Sequence, residues 1–203
     1  MIVKLCGLRR FEDVEYVNEF MPDYIGFIFA ENSKRTVTIE QAKALSKHLS
    51  SYIQRVGVFV NQPAQYIKKA VDEVGLNVYQ LHGDEDCDYI ENISKTIDAD
   101  IWKAVRVRSS ADIKFADKLG VDAVLLDSFS CGQYGGTGKV ADWDTITKTK
   151  VNTNFFLAGG LDENNIINAI QTVKPYGVDI SGGIETDGFK DRMKIKKLMD
   201  IIR

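Results

Sequence analysis

The stretch Val121-Asp-Ala-Val-Leu-Leu-Asp127 carries the strongest information about the fold of this chain. Its apolar side chains stand mostly at consecutive positions rather than at alternate ones, and Ile25 to Phe29 has the same character. Consecutive apolar positions are typical of parallel strands that are buried on both faces. The stretch therefore predicts a buried parallel strand that ends at Asp127.

Eight strand candidates of this kind recur along the 203 residues, at the spacing that one βα unit needs. They are residues 2–6, 24–29, 53–60, 78–82, 101–106, 122–127, 154–158 and 177–181. Segments with helical periodicity lie at 39–49, 63–74, 86–97, 110–119, 163–173 and 190–202. This alternation predicts an α/β fold, a single-domain (β/α)8 TIM barrel over residues 1–203. The alternative is an open doubly wound sheet, which usually has a glycine-rich turn after its first strand, and Cys6-Gly-Leu-Arg-Arg10 does not supply one.

Four residues mark where three of the helices are expected to begin. Thr38 and Gln41 are spaced as a capping box for the 39–49 helix. Pro63 suits the first turn of the 63–74 helix, and Asp162 is a predicted N-cap for the 163–173 helix.

Composition excludes several classes of function. The net charge of −3 leaves no basic footprint for nucleic acid, and no apolar run approaches the roughly 18 residues of a membrane span. The first residues lack a charged lead-in and a cleavage site, so no signal peptide is expected. Three cysteines, Cys6, Cys87 and Cys131, are odd in number and widely spaced, which does not suit a disulfide framework. A reducing cytoplasm fits these cysteines best. The oligomeric state does not follow from composition, and a monomer or a homodimer is the expected range.

Polar and ionisable residues concentrate at the carboxyl ends of the predicted strands, where barrels build their active sites. These residues are Cys6, the 31–35 loop, Asn61, His82, Gly83, Arg106, Asp127, Gly159, Gly160, Asp179, Ser181, Gly182 and Gly183. If Cys6 and Asp127 face one pocket, the thiol and the carboxyl could remove a proton from one carbon of a small substrate and supply one elsewhere. The alternative is that Cys6 is a small buried apolar residue and that Asp127 caps the next loop.

Two glycine pairs indicate an anion site. Gly159-Gly160 follows the seventh strand and Gly182-Gly183 follows the eighth, the two loops that frequently bind phosphate in barrels. Glycine lets backbone N–H groups approach a phosphate closely. Both pairs could instead be simple turns. The glycine-rich stretch 130–139 after the sixth strand is expected to be a lid or a substrate-contacting loop.

No metal site is expected, because the chain has only two histidines, His48 and His82, and neither stands in a cluster of metal ligands. This disfavours a metal-dependent sugar-phosphate epimerase. A non-catalytic barrel that binds a sugar phosphate stays open as a second class of function.

Short motifs along the whole chain strongly resemble phosphoribosylanthranilate isomerase, a (β/α)8 barrel enzyme of tryptophan biosynthesis. They include Lys4-Leu-Cys-Gly7, Gly26-Phe-Ile-Phe29, Gln80-Leu-His-Gly83, Leu125-Leu-Asp127, Gly159-Gly-Leu161 and Val178-Asp-Ile-Ser-Gly-Gly-Ile-Glu185. They occur in the family's order and at matching spacing, and this combination is specific where any single motif is not.

The resemblance implies a reaction, an Amadori rearrangement that needs no cofactor. An enzyme that catalyses it is an aldose-ketose isomerase. Asp127 would be the general acid that protonates the furanose ring oxygen, and Cys6 the general base that takes the proton from C2. Arg35 would engage the anthranilate carboxylate. Gly159, Gly160, Gly182 and Gly183 would hold the phosphate, with His82, Asp179 and Ser181 as further substrate-binding residues.

The chain departs from the family pattern at three positions. The family usually has threonine where Arg9 stands, often a second serine where Gly182 stands, and an aromatic residue where Ala141 stands. These departures are expected to affect affinity and the packing of the lid rather than the acid–base pair.

Overall fold

The computed structural model describes residues 1–31, 33–128 and 143–203. The barrel strands are β1 (Ile2–Cys6), β2 (Tyr24–Ile28), β3 (Gln54–Phe59), β4 (Val78–Leu81), β5 (Asp100–Val107), β6 (Ala123–Ser128), β7 (Phe155–Leu157) and β8 (Gly177–Ile180). The helices are α1 (Phe11–Phe20), α2 (Ile39–Ser46), α3 (Ala64–Val74), α4 (Cys87–Ser94), α5 (Ser110–Ala116), α6 (Trp143–Lys148), α7 (Ile166–Val173) and α8 (Arg192–Ile202). A short hairpin, β9 (Glu185–Thr186) and β10 (Phe189–Lys190), stands between β8 and α8.

The eight long strands form a closed parallel barrel in sequence order, which confirms the predicted fold. Closure is made by β1, which pairs with β2 on one side and with β8 on the other. In the β1–β8 register, Lys4 lies opposite Asp179. A closed parallel barrel brings the carboxyl ends of all eight strands to one face, and the site is built there.

Side chains alternate between two buried layers along each strand. The layer between the strands and the helices holds, for example, Val3 and Leu5 of β1 and Val124 and Leu126 of β6. The layer inside the barrel is formed by Val56, Val78, Trp102, Ala104, Ala123, Leu125, Phe156 and Ala158. The positions of β6 that face inward are therefore Ala123, Leu125 and, one step further, Asp127.

The helix starts test the predicted caps. The capping box of α2 is confirmed, because Gln41 N donates to Thr38 Oγ1 at 3.1 Å and Thr38 N donates to Gln41 Oε1 at 2.9 Å. The prediction that Asp162 is the N-cap of α7 was wrong, because that helix begins at Ile166 and its N-cap is Asn165. The chain from 162 to 165 forms a turn instead, in which Asp162 Oδ1 accepts a hydrogen bond from Asn164 N.

Two helices, α1 and α6, were expected only from the alternation of strands and helices, because the apolar pattern did not show where they begin and end.

The predicted lid at 130–139 lies outside the described residues, as do Cys131 and Ala141. Within the described ranges, every helix is too short or too polar to cross a membrane.

Candidate active site

One cavity of about 350 Å³ opens at the carboxyl ends of the barrel strands. Ten of the residues that the sequence singled out line it: Cys6, Arg35, His82, Asp127, Gly159, Gly160, Asp179, Ser181, Gly182 and Gly183. Asn61, Gly83 and Arg106, which were expected at the same face, are not part of the lining. Cys6 ends β1 and Asp127 comes near the end of β6, and β7 and β8 separate these two strands in the barrel. The thiol and the carboxyl therefore reach the same cavity from different sides.

The Cys6 sulfur has room because the neighbouring strand carries a glycine. Cys6 pairs with Gly26 in the β1–β2 register, and a Cβ atom at Gly26 would lie only 2.6 Å from Cys6 Sγ. Burial raises the pKa of the Cys6 thiol, and the positive charges of Lys4 and Lys190 oppose that shift. A thiol is a base only as the thiolate, so these cations favour the reactive form.

Asp127 lies beside the imidazole of His82, with 3.4 Å between its Oδ2 and His82 Nε2. On the other side of the ring, Gln80 Nε2 lies 3.0 Å from His82 Nδ1. With the Gln80 amide nitrogen as donor, the ring proton is on Nε2, the nitrogen nearer to the Asp127 carboxyl. Gln80 lines the cavity as well, and in the sequence it stood out only as part of the motif Gln80-Leu-His-Gly83.

A buried ion pair below the 82–83 turn holds His82 in place. Lys103 Nζ donates to Glu85 Oε2 at 2.9 Å and to the Gly83 carbonyl oxygen at 2.7 Å. Glu85 in turn accepts hydrogen bonds from the backbone N–H groups of Asn61 and Gly83. Since a buried carboxylate is costly unless its lone pairs are satisfied, this network keeps the turn after β4 in one conformation.

Arg35 leaves the loop after β2 and makes a two-pronged contact with Glu185 of β9. Its Nε and Nη2 donate to the two carboxylate oxygens of Glu185, each at 2.7 Å. Lys190 Nζ also donates to Glu185 Oε1 at 2.7 Å. Burial alone would raise the pKa of Glu185, but the hydrogen bonds from Arg35 and the charge of Lys190 outweigh it and lower the pKa to about 2. The carboxylate therefore stays ionised and orients the guanidinium at the edge of the cavity.

The two glycine loops lie against each other on one side of the cavity. Gly159 and Gly160 have positive φ angles of 88° and 63°, which favour glycine. A Cβ atom at Gly183 would lie 2.0 Å from the Leu161 carbonyl oxygen, so the β8 loop can approach the β7 loop only without a side chain. This close backbone packing leaves a surface lined by main chain, which suits an anion such as phosphate.

Ser181 and Asp179 are engaged with the protein. Ser181 Oγ donates to the Cys6 carbonyl oxygen at 3.0 Å, and Asp179 Oδ1 accepts from Lys4 Nζ at 2.8 Å. Both residues line the cavity, as the sequence predicted, but each has a protein partner that the sequence did not reveal.

Three charged residues beside the site were missed in the sequence analysis: Lys4, Glu185 and Lys190. For Lys4 a signal exists, since a lysine inside the apolar run Ile2–Cys6 is out of place unless it is paired. Glu185 and Lys190 lie in a hairpin whose fold could not be anticipated from periodicity. In the described ranges, no group of three or more His, Cys, Asp or Glu side chains could hold a metal ion.

The fold and the site define a class: a TIM-barrel enzyme with a thiol, a carboxyl and two glycine loops around one cavity for a small anionic molecule. Comparisons with known proteins narrow that class. The sequence profile described as N-(5'phosphoribosyl)anthranilate (PRA) isomerase matches residues 3–201. The chain belongs to the N-(5'-phosphoribosyl)anthranilate isomerase family.

Individual relatives agree with this assignment. An N-(5'-phosphoribosyl)anthranilate isomerase of Thermoanaerobacter sp. (strain X514) is 44% identical over 201 residues, which cover 99% of this chain and 97% of that protein. The crystal structure of phosphoribosyl anthranilate isomerase from Thermus thermophilus has a TM-score of 0.87 at 28% identity and covers 100% of this chain and 98% of its own. A further phosphoribosyl anthranilate isomerase, solved in complex with reduced 1-(o-carboxyphenylamino)-1-deoxyribulose 5-phosphate, has a TM-score of 0.82 at 33% identity and covers 98% of this chain and 97% of its own.

Proposed function

We propose that this protein isomerises N-(5'-phosphoribosyl)anthranilate to 1-(o-carboxyphenylamino)-1-deoxyribulose 5-phosphate, as the aldose-ketose isomerase of the tryptophan branch. The observation that carries the proposal is that Cys6 and Asp127 line one cavity together with both glycine loops. A base, an acid and an anion site around a single small cavity are what an acid–base rearrangement of a sugar phosphate needs. We place the enzyme in the cytoplasm, as a monomer or a homodimer.

Asp127 acts first, as the general acid. Its proton goes to the furanose ring oxygen, the bond from that oxygen to C1 breaks, and the anthranilate nitrogen forms a Schiff base with C1. His82, 3.4 Å from the Asp127 carboxyl, limits the directions in which that carboxyl can point. The ring opens only if the leaving oxygen is protonated as the bond breaks, and a positioned acid accelerates such a step.

Cys6 acts next, as the general base. The thiolate takes the proton from C2, and the electrons of that C–H bond neutralise the Schiff base to give an enolamine. The enolamine tautomerises to the ketone, so that no atom is gained or lost and no electron acceptor is required. The reaction needs a base and an acid at opposite sides of the ribose, which fits the positions of β1 and β6 in the barrel.

The remaining site residues bind the two ends of the substrate. We propose that Gly159, Gly160, Gly182 and Gly183 hold the phosphate, with Ser181 beside them. Arg35 receives the anthranilate carboxylate at the opposite end, because its planar guanidinium suits a second carboxylate besides Glu185. Asp179 contributes through Lys4, which it holds in the barrel.

The proposal is tested by Cys6→Ser and Asp127→Asn, each measured by the loss of substrate fluorescence. We expect each substitution to lower kcat by about 10²- to 10⁴-fold, the usual contribution of a general acid or base, with an unchanged circular dichroism spectrum. Cys87→Ser is the control, because that cysteine is exposed and begins α4. Full turnover by Asp127→Asn would overturn the mechanism, and binding of the substrate without any turnover by the unaltered protein would favour a carrier instead.

A further inference from the structure

Lys4 is a fully buried lysine that the reaction scheme above does not use directly. Its relative exposure is 0%, and its ammonium donates to Asp179 Oδ1 at 2.8 Å. A buried ammonium is unfavourable unless it is paired, and lysine is rarely found fully buried. The position of Lys4 in the fold, close to Cys6, suggests what this ammonium does.

Lys4 and Cys6 lie on the same face of β1. Side chains two residues apart on a strand point the same way, and the neighbours Val3 and Leu5 belong to the layer that packs against the helices. Lys4 and Cys6 therefore both point into the barrel, with the ammonium one layer below the thiol. The register with β8 brings Asp179 opposite Lys4, and Asp179 lines the cavity beside Cys6.

Among the described residues, the ion-paired groups around β1 and the β9–β10 hairpin carry one positive charge in excess, and the cavity carboxylates Asp127 and Asp162 lie outside this cluster. Three cations, Lys4, Arg35 and Lys190, are paired with two carboxylates, Asp179 and Glu185. Three positive and two negative charges sum to +1, and a thiolate at Cys6 would bring the cluster to neutrality. Asp127 and His82 face Cys6 from β6 and from the end of β4, across the cavity.

We propose that Lys4 is a positioning residue that stabilises the thiolate of Cys6, and that Asp179 holds the Lys4 ammonium beneath it. The importance of this thiolate for turnover rests on the function proposed above. The influence of Lys4 on the ionisation of Cys6 does not, since it depends on the burial and the charges around β1 and not on the substrate.

The directions of the pKa shifts agree with this assignment. Burial raises the pKa of Cys6, and among the charged neighbours Lys4 opposes that shift most strongly, while Asp179 adds to it and Lys190 opposes it. Burial would lower the pKa of Lys4, but Asp179 and Cys6 outweigh it, so that the pKa is raised and the ammonium keeps its charge. Lys4 and Asp179 therefore shift the pKa of Cys6 in opposite directions. Removing one or the other should move that pKa in opposite directions too, and this can be tested.

The experiment measures the rate of alkylation of Cys6 by iodoacetamide as a function of pH, read by mass spectrometry on the Cys6 peptide. Lys4→Met replaces the ammonium by an apolar group of similar length. The alkylation midpoint is the pH at which the rate reaches half of its maximum. We expect this midpoint to move up by at least about one pH unit in Lys4→Met, because the fraction of Cys6 present as thiolate at a given pH would be about tenfold smaller. For Asp179→Asn we expect the midpoint to move down. An unchanged midpoint in Lys4→Met would overturn the proposal, because Lys4 would then serve only to pair with Asp179.

Lys4→Met leaves the partly buried Asp179 without its ion-pair partner, so the double variant Lys4→Met/Asp179→Asn covers the case in which the single variant does not fold. Its midpoint is expected above that of the unaltered protein, because Lys4 acts on Cys6 more strongly than Asp179 does. A midpoint at or below the original value in the double variant would also overturn the proposal. The matched control is Lys103→Met/Glu85→Gln, which removes another buried pair of the barrel and should leave the midpoint of Cys6 in place.

The pH profile of kcat/KM separates this proposal from the proposed function. If Cys6 is the base, the ascending limb of the profile should move with the alkylation midpoint in each variant. A shift in alkylation without a shift in the profile would keep the role of Lys4 and reject Cys6 as the base of the reaction.

Discussion

At the scale of single residues, the site depends on the absence of a side chain at Gly26. The backbone of Gly26 has no positive φ, so its conformation does not explain the glycine. The space does, because a Cβ atom there would lie 2.6 Å from Cys6 Sγ and 3.3 Å from Cys6 Cα. Strand β2 thus leaves room for the sulfur on strand β1.

Gly26→Ala is therefore expected to damage catalysis more than folding. The new methyl group would force the Cys6 sulfur out of its present position, and we expect kcat to fall at least tenfold, since misplacing a catalytic group by about 1 Å can cost about 10²-fold. The measurement is steady-state turnover together with the urea midpoint.

Gly57→Ala is the matched control for this prediction. A Cβ atom at Gly57 would be equally close to a side chain, 2.5 Å from Leu76 Cδ1, but in the apolar layer away from the cavity. We expect it to lower the urea midpoint, because overpacking a core costs about 1–3 kcal/mol, and to keep the activity of each folded molecule. Equal losses of activity in the two variants would contradict the argument.

At the scale of structural elements, Arg9 joins two loops that carry site residues. Its Nη1 donates to the Lys34 carbonyl oxygen at 2.8 Å and its Nη2 donates to the Gly188 carbonyl oxygen at 2.7 Å. Its guanidinium also lies 4.4 Å from the centre of the Phe189 ring. Lys34 precedes Arg35, and Gly188 is in the hairpin that begins at Glu185, so Arg9 bridges the loop of the guanidinium and the hairpin of its carboxylate partner.

Arg9→Ala is expected to raise KM by about three- to tenfold and to change kcat less. Two surface hydrogen bonds contribute about 1 kcal/mol together, and their loss loosens the loop that presents Arg35 to the substrate. Arg9→Lys should behave like Arg9→Ala, because an ammonium cannot reach both carbonyl groups in the same fork.

The control for Arg9 is Arg192→Ala. Arg192 also makes a cation–aromatic contact, 5.5 Å from the Phe20 ring, and pairs with Glu19, but it does not line the cavity. We expect the KM of the Arg192→Ala variant to match that of the unaltered protein. A fall in kcat alone after Arg9→Ala would refute the bridging role.

At the scale of the whole molecule, an aromatic cluster closes the amino end of the barrel. The Phe156 ring stacks on Trp102 at 4.4 Å and meets the rings of Tyr24 and Tyr176 edge-on at 6.0 Å and 5.8 Å. Three of these rings come from β2, β5 and β7, and Tyr176 directly precedes β8, so the cluster joins strands on different sides of the barrel. It therefore contributes to the stability of several strands at once.

Phe156→Ala is expected to lower the free energy of unfolding by about 3–5 kcal/mol, because it removes a fully buried ring and leaves a cavity. Urea unfolding followed by tryptophan fluorescence measures the change. Phe115→Ala, at a ring that is 48% exposed, should cost below about 1 kcal/mol.

We propose that residues 1–203 form one domain. A single unfolding transition that coincides by fluorescence and by circular dichroism would support this, whereas two separated transitions would contradict it.

The local pattern of the sequence was sufficient for the strands, for the barrel and for many of the residues that line the cavity, although not for Gln80. Parallel strands are buried on both faces, so they stand out as continuous apolar runs, and a polar residue at the end of such a run must lie at the carboxyl face. Cys6 and Asp127 could be predicted in this way. The start of α7 could not, because the turn at 162–165 forms its own hydrogen bonds before the helix begins.

Only the tertiary structure decided which charges meet. Lys4 and Asp179 are 175 residues apart in the chain, and Arg35 and Glu185 are 150 residues apart. Their pairing depends on the register between the first and last strands and on the hairpin after β8, and no local window contains either. Long-range contacts of this kind are set by the closure of the barrel, which is why the sequence by itself determined where the catalytic groups stand but not what controls their ionisation.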